Sequence, residues 1–272
     1  MAVDLRLLCG DLAEETAVLA GLLAPLDETA WTLPTPAPGW SVKDQLTHLA
    51  YFDEATIQAA NDPAAFIAGR ADALVDVDRF TDQIAVRYRG MTGHQVGVWF
   101  QQARRSFIAA FEVMDPRLRL PWYGPDMSAA SAVTARIMET WAHGQDVADA
   151  LGVDRPATAG LRQVAHIGVQ TMANSFRAQG RPAPSSPLRV ELRGPAGERW
   201  DWGPPEAADR VSGPALDFCL VVTQRRHLAD TSLGVQGDVA GQWMSIAQAF
   251  AGPPGPGRQP GQFSSPSGHH DA

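Results

Sequence analysis

Cysteine is scarce in this sequence. Only two of the 272 residues are cysteines, Cys9 and Cys219, and each lies inside an apolar run. A disulfide framework would need more cysteines than this, so the composition indicates a reducing compartment and we expect a cytoplasmic protein. Both thiols are expected to be small core residues rather than nucleophiles.

Long basic runs and long apolar runs are also absent. The formal net charge is −8, and the densest basic spots are the pairs Arg104-Arg105 and Arg225-Arg226. A protein that binds a nucleic-acid duplex needs a basic face, so no nucleic-acid partner is expected. No apolar run reaches the roughly 18 to 20 residues of a membrane span, and the early Asp4 and Asp11 argue against a signal peptide. We therefore expect no membrane segment.

The first part of the chain is dominated by helical periodicity. Leucines recur at helical spacing over residues 3–26, and Ser41 with Asp44 resembles a capping box that opens a helix through about Asn61. Thr92 with Gln95 gives a second capping box, and helices are also predicted from about Ser128 to Leu151 and from Pro156 to Gln179, with a weaker one over residues 71–89. Residues 1–179 are thus predicted to form an up-and-down bundle of four or five helices.

The periodicity changes after residue 180. The stretch "GRPAPSSP", residues 180–187, is predicted to be a linker. Beyond it, "LRVELRG" alternates as a half-buried strand does, with "GERWDW" as its hairpin partner, and helices are predicted from "PALDFCLVVTQRRHLAD" and "VAGQWMSIAQAF" around the short strand "LGVQGD". Residues 188–251 are predicted to be a small α+β domain, and residues 252–272 a disordered tail.

The stretch "METWAHGQDVADAL" carries a carboxylate and an imidazole inside an apolar helix. Glu139 and His143 are four residues apart and lie on the same helix face, and His48 occupies a core-facing position on another predicted helix. Imidazole and carboxylate groups are ligands of divalent cations such as Zn²⁺, and three protein ligands with one open position are typical of a catalytic metal site. The spacing alone is equally compatible with a buried, hydrogen-bonded histidine or with a surface pair.

Two segments carry a family resemblance. "GWSVKDQLTHLAYFDEA" and "METWAHGQDVADALG" resemble the two signature segments of the DinB-like metalloenzyme superfamily, in particular its actinobacterial branch of mycothiol-dependent maleylpyruvate isomerase. The matched positions of the two motifs are Trp40, Ser41, Asp44 and His48, then Glu139, His143 and Asp146. The resemblance implies a DinB-like bundle followed by a small sterol-carrier-like α+β domain, with His48, Glu139 and His143 as metal ligands.

The resemblance also implies cofactors and a role for the C-terminal part. It implies a divalent metal, zinc before other ions, and mycothiol as a thiol cofactor. "LDFCLVVTQRRHLAD" is similar to a helix that ends in an arginine serving the active site, which makes Arg225 and Arg226 the candidate catalytic and cofactor-binding residues. Such arginines can hold a carboxylate or another anionic group by forked hydrogen bonds. The alternative is an ordinary basic helix end.

The function implied is a metal-dependent, mycothiol-using isomerase or S-transferase that acts on a small electrophilic substrate, as a monomer or a homodimer. Two alternatives stay open: a thiol-independent metal-dependent hydrolase or lyase of a biosynthetic pathway, and a non-catalytic metal-binding protein. For Asp146, one prediction is that it orients a ligating imidazole; the alternatives are a hydrogen bond within the helix or exposure to solvent. Trp122 and Tyr123 are predicted either to cover a pocket or to pack on the bundle.

Overall fold

The structure is a computed structural model that describes residues 3–250 and 252–263. The chain divides into two compact units between Pro156 and Ala157. The sequence placed the division at the linker 180–187 instead. The difference arises because the two helices that follow residue 160 pack against helices of the second unit, as described below.

The first unit is built from helices. Its four long helices are α1 (Leu5–Leu23), α2 (Val42–Asn61), α6 (Gly93–Phe111) and α7 (Ala129–Leu151). Three shorter ones, α3 (Pro63–Gly69), α4 (Ala71–Val75) and α5 (Val77–Tyr88), connect α2 to α6. Helix α2 packs against α6 and α7, and α1 packs against α7 and α6. A short 3-10 helix, Ala30–Thr32, lies between α1 and α2.

Local signals fix where the long helices begin and end. Ser41 and Asp44 form a complete capping box at the start of α2, and Thr92 and Gln95 form another at the start of α6, as the sequence predicts. Each cap satisfies backbone N–H groups that the first helical turn leaves unpaired, which contributes about 1 kcal/mol. Helix α7 ends at Gly152, whose φ of 65° is the left-handed conformation that glycine adopts without strain.

The core of the first unit is formed by the apolar faces of the long helices. Two clusters of buried side chains fill it, and their largest members are Leu12, Phe107, Phe111, Leu120 and Ile137 in one, and Leu19, Trp31, Leu46, Leu49 and Phe100 in the other. Burying each such side chain contributes about 1.5–3 kcal/mol, so these faces hold α2 and α7 together. That packing positions the polar residues that the same two helices carry.

The connection between α6 and α7 is more ordered than the predicted loop. Arg119–Leu120 (β1) pairs antiparallel with Met127–Ser128 (β2), so the segment is a short hairpin. The bundle prediction had no strand in this part of the chain. Two-residue strands are too short to show a periodicity of two in the sequence, which explains the omission.

Among its described residues, the second unit contains a four-stranded sheet, four α-helices and a short 3-10 helix, Leu228–Asp230. The strands are β3 (Leu188–Arg193), β4 (Arg199–Trp202), β5 (Asp209–Pro214) and β6 (Gly234–Gln236), in the order β4-β3-β5-β6. The predicted hairpin of β3 and β4 is confirmed as an antiparallel pair. Strand β5, which the sequence did not predict, pairs in parallel with β3. The sheet packs with α10 (Ala215–Val222) and α11 (Asp238–Ile246) around Val190, Val211, Phe218 and Trp243.

Two predicted helices of the second unit are corrected. The helix predicted from Pro156 to Gln179 is two helices, α8 (Leu161–Gln170) and α9 (Met172–Ala178), separated at Thr171. The Thr171 hydroxyl donates to the carbonyls of Ile167 and Gly168, a local bond that competes with helix continuation. Helix α10 ends at Val222, and Gln224 follows with a left-handed φ of 60°. Helix α8 packs against α10, and α9 against α11.

The predicted tail begins along the second unit. The backbone N–H of Gly261 donates to both carboxylate oxygens of Asp230, at 2.8 and 2.9 Å, so residues 252–263 are held there by hydrogen bonds. Residues 264–272, the rest of the predicted disordered tail, lie outside the described residues. Within the part of the chain that is described, no helix is long and apolar enough to cross a membrane.

Candidate metal centre

Three side chains from two helices of the first unit meet at one point. His48 lies in the second turn of α2, and Glu139 and His143 lie on the same face of α7. The Nε2 atoms of His48 and His143 are 3.3 and 3.1 Å from the same oxygen, Glu139 Oε2. One possible ligand atom from each side chain lies within 4.8 Å of the other two. We call His48, Glu139 and His143 the ligand trio.

The ligand trio is mostly buried but keeps some contact with solvent. The exposed fractions of the side chains are 13% for His48, 22% for Glu139 and 11% for His143. Burial in an apolar bundle strengthens electrostatic interactions, and the residual exposure leaves an approach for a small molecule. The carboxylate is the most exposed member of the trio.

The electrostatics of the ligand trio favour a neutral imidazole at His48 and an ionised carboxylate at Glu139. Burial raises the pKa of Glu139, but its close polar contacts with the imidazoles of His143 and His48 outweigh that effect and hold the pKa well below its ordinary value. For His48, burial and the neighbouring His143 together lower the pKa to about 4. The unprotonated imidazole and the ionised carboxylate are the forms that bind a metal ion.

The donor atoms fit a divalent cation. Two imidazole nitrogens and one carboxylate oxygen form a ligand set that Zn²⁺ accepts, and three protein ligands leave a further coordination position open. The buried Nδ1 atom of His48 has no hydrogen-bond partner among the described residues.

Aromatic rings surround the two imidazoles. The ring of Trp40 lies 5.9 Å from that of His143 at an angle of 10°, and 5.4 Å from that of His48. Trp40 Nε1 donates to Asp82 Oδ1 at 2.9 Å, which fixes the indole. Phe52, one turn after His48 on α2, lies 4.5 Å from its ring. These apolar walls limit the access of water to the ligand trio.

Trp122 and Tyr123 take part in packing of the first unit. The Trp122 ring stacks on Phe66 at 5.8 Å, and the Tyr123 ring contacts the edge of Phe52 at 5.6 Å. Burial raises the pKa of the Tyr123 hydroxyl above its ordinary range, and the neighbouring Tyr51 raises it further. The two residues therefore extend, through Phe52, the aromatic layer that contacts His48.

A buried ion cluster that the sequence analysis missed lies on the same helices. Asp53 accepts from Arg104 Nε at 2.7 Å and from Arg136 Nε at 3.0 Å, and Arg104 also donates to the hydroxyls of Thr16 and Thr140. This cluster links α1, α2, α6 and α7. Arg136 is one turn before Glu139, and Asp53 is five residues after His48. In the sequence, this cluster is indicated by charged residues at core-facing positions of predicted helices.

The other predicted residues have definite places in the structure. Asp146 is fully buried, so the solvent-exposed alternative is wrong, while its role beside the imidazoles stays a prediction. Cys9 and Cys219 are buried, as expected, and burial followed by the charge of Glu112 raises the pKa of Cys9 to about 11. Such a thiol is almost entirely protonated at neutral pH, which makes it a poor nucleophile.

Arg225 and Arg226 lie in the second unit, just after α10. Their backbone N–H groups both donate to Leu220 O, at 2.7 and 3.1 Å. Arg226 is buried, and its guanidinium lies 4.8 Å from the centre of the Phe263 ring. Arg225 is half-buried and donates from Nη1 to Thr223 O. The ligand trio lies in the first unit, and the two arginines lie in the second.

Comparison with known proteins gives matches for both units. Residues 12–148 match the family described as the mycothiol maleylpyruvate isomerase N-terminal domain, which is about half of the chain and includes the whole ligand trio. Residues 184–233 match a different family, described as wyosine base formation. Two uncharacterized proteins, one from each of two strains of Mycobacterium tuberculosis, are each 46% identical over 249 residues, which cover 91% of this chain and 96% of theirs.

Solved structures share the fold. The crystal structure of the mycothiol-dependent maleylpyruvate isomerase aligns with a TM-score of 0.55, and that of a histidine-to-alanine mutant of the same enzyme with 0.56. Each is 14% identical to this chain, and the alignment covers 82% of this chain and 90% of theirs. The predicted fold class, a helical bundle followed by a small α+β domain, is confirmed.

Proposed function

This chain belongs to the mycothiol maleylpyruvate isomerase family through its N-terminal domain, and on that premise we propose a divalent-metal-dependent enzyme that uses mycothiol. The family is one of enzymes, and an isomerase is the activity that it favours. The proposed reaction is an isomerisation or an S-transfer on a small electrophilic substrate. The metal, its ligands and the substrate class are parts of the proposal.

The observation that carries the proposal is the convergence of the ligand trio. Two imidazoles and one carboxylate come together, with each Nε2 atom 3.1 to 3.3 Å from Glu139 Oε2 and with solvent access on the side of Glu139. A divalent cation held by this set keeps a net charge of about +1, which attracts an anionic ligand such as a thiolate or an enolate. When bound, such a cation supplies a Lewis acid that lowers the pKa of a coordinated thiol.

The residues around the trio have separate tasks in this proposal. His48, Glu139 and His143 bind the cation, and Trp40 and Phe52 exclude water from two sides of the imidazoles. Arg225 and Arg226 are proposed to hold the carboxylate of a substrate or an anionic group of the thiol cofactor. Cys9 and Cys219 are buried and take no part, so the nucleophile is supplied by the cofactor.

Calorimetric titration with mycothiol tests the proposal. We expect binding heat with the zinc-loaded protein and none with the metal-stripped protein, because the thiolate needs the cation. Arg225→Ala or Arg226→Ala should weaken binding and leave the zinc content unchanged, whereas Arg193→Ala, an exposed arginine at the end of β3, should have no effect. Absence of heat in the zinc-loaded protein would exclude a mycothiol-using enzyme.

A second candidate function is favoured by the second unit. Residues 184–233 match a family with a different description from that of the N-terminal match, and this unit carries Arg225 and Arg226. The same metal site in a thiol-independent hydrolase or lyase would act on bound water instead of a thiol. Zinc binding without any mycothiol heat is the result that this candidate predicts. The non-catalytic alternative, the cytoplasmic location and the monomeric or homodimeric state stay predictions.

A further inference from the structure

A buried glutamine on α2 contacts the candidate metal centre. Gln45 is one turn before His48, and no part of its side chain is exposed. It lies among Val42, Leu46 and Leu49, which are fully buried apolar residues. Burying an amide in such a setting costs free energy unless its hydrogen bonds are made, so both ends of the Gln45 amide should have partners.

The nitrogen end of this amide has a fixed partner. Gln45 Nε2 donates to Thr35 Oγ1 at 2.7 Å, and Thr35 Oγ1 donates to Trp40 O at 2.8 Å. A carbonyl oxygen can only accept, and a hydroxyl has one proton, so the Thr35 oxygen is left as an acceptor for the amide. The Gln45 oxygen is thereby directed away from Thr35.

The oxygen end of the amide faces the imidazole of His143. Gln45 Oε1 accepts from His143 Nδ1, so Nδ1 carries the proton in the neutral imidazole, which is the form that binds a metal ion. Nε2 of the same ring is left with a lone pair, and this atom lies 3.1 Å from Glu139 Oε2. Two acceptors that face each other repel unless a cation or a proton lies between them.

We propose that Gln45 is a positioning residue that holds His143 in the Nδ1–H tautomer and so presents Nε2 to a divalent cation. The inference rests on the proposed function, because it concerns how the same metal site is prepared. It goes beyond the ligand trio by assigning a role to a residue that touches neither metal nor substrate. His48 differs from His143, since its Nδ1 atom has no such partner among the described residues.

Zinc affinity measured by competition with a chromophoric chelator tests the proposal. Partners of this kind typically change metal affinity by roughly 10- to 100-fold, so we expect Gln45→Leu to lose about that much. Gln45→Glu keeps an acceptor for Nδ1–H but loses the bond to Thr35, so it should retain clearly more of the affinity than Gln45→Leu. Gln58→Leu, a glutamine on the exposed face of the same helix, is the matched control and should leave the affinity unchanged.

A spectroscopic measurement separates positioning from a general structural role. In ¹⁵N NMR spectra of the zinc-loaded protein, the His143 ring should carry its proton on Nδ1. Thr35→Val removes the hydroxyl that anchors the amide without touching His143, and it should lower the zinc affinity several-fold while the helical circular dichroism is kept. If Gln45→Leu does not fold, Thr35→Val tests the same proposal in its place.

The outcomes distinguish this inference from the proposed function. If the wild-type protein takes up no divalent cation, the metal site itself is excluded and this inference with it. If the wild-type protein binds zinc and folded Gln45→Leu binds it equally tightly, only the role of Gln45 is excluded. An Nε2–H signal from His143 in the zinc-loaded protein would also overturn it.

Discussion

At the residue scale, two members of the ligand trio, His48 and Glu139, are kept in their metal-binding forms by their surroundings. Burial disfavours the imidazolium form of His48, and two imidazoles favour the carboxylate form of Glu139. The same burial makes Cys9 unreactive, because its pKa rises to about 11. One physical effect thus prepares the histidine as a ligand and removes the cysteine as a nucleophile.

The stability of the metal-free protein should depend on pH through His48. Its pKa falls from 6.5 to about 4 on folding, so between these values the unfolded chain binds a proton that the folded chain does not. The free energy of unfolding should therefore fall as the pH is lowered through this range. Urea denaturation of the metal-free protein at pH 7 and at pH 5 measures this difference in the free energy of unfolding.

Variants assign that pH dependence to His48. His48→Gln should show a shallower loss of stability between pH 7 and pH 5, whereas His94→Gln, an exposed histidine of α6, should behave as the wild type does. If the His48→Gln and wild-type proteins lose the same stability between pH 7 and pH 5, burial of the His48 imidazole is not the cause of that loss.

At the element scale, a buried ion cluster fixes the helices that carry the ligand trio. The single carboxylate of Asp53 accepts from Arg104 and Arg136, so α2 is tied to α6 and α7 in the interior. Breaking a buried ion pair by removing one partner leaves an uncompensated charge, which costs more than the pair contributes. The cluster therefore makes the relative placement of α2 and α7 sensitive to a single side chain.

Removal of that carboxylate gives a stability prediction. Asp53→Ala leaves two buried guanidinium groups without their shared acceptor and should lower the free energy of unfolding by about 3–5 kcal/mol. Glu14→Ala, an exposed acidic residue of α1, should change it by less than about 0.5 kcal/mol. Chemical denaturation of both variants checks this, and a loss of under about 1 kcal/mol for Asp53→Ala would contradict the proposed role of the cluster.

Which elements the sequence predicts depends on the range of the interactions that form them. The starts of α2 and α6 follow from capping boxes that span four residues, and both were predicted correctly. The parallel pairing of β3 with β5 was missed, because it joins strands across a crossover and β5 has no clear alternation of its own. The linker 180–187 was predicted from composition, which does not reveal that α8 packs against α10.

The candidate site shows the same limit. Glu139 and His143 could be paired from their spacing on one helix, and the family resemblance pointed to His48 on another. Gln45, Thr35 and the Asp53 cluster could not be connected with the site, because their contacts join residues 36 to 98 positions apart or depend on a turn before α2. The sequence signals that were available are a glutamine one turn before His48 and charged residues at core-facing positions of the predicted helices.

At the scale of the whole molecule, similarity to known proteins extends over most of the chain at two levels of sequence identity. The fold is shared with solved structures at 14% identity, while the relatives at 46% identity cover nearly the whole chain. All three members of the ligand trio lie within residues 12–148, the segment that matches the family, so metal binding is a property expected of the first unit. The second unit, with Arg225 and Arg226, is where substrate preference is expected to differ.

The central claim is that His48, Glu139 and His143 together hold one divalent cation. Elemental analysis of the purified protein after incubation with zinc and removal of free metal tests it most directly. We expect about one zinc per chain in the wild type and in His94→Ala, and none in His48→Ala or His143→Ala, with the helical circular dichroism retained. A wild-type protein without bound metal, or a folded His143→Ala protein that still holds one zinc, would contradict the claim.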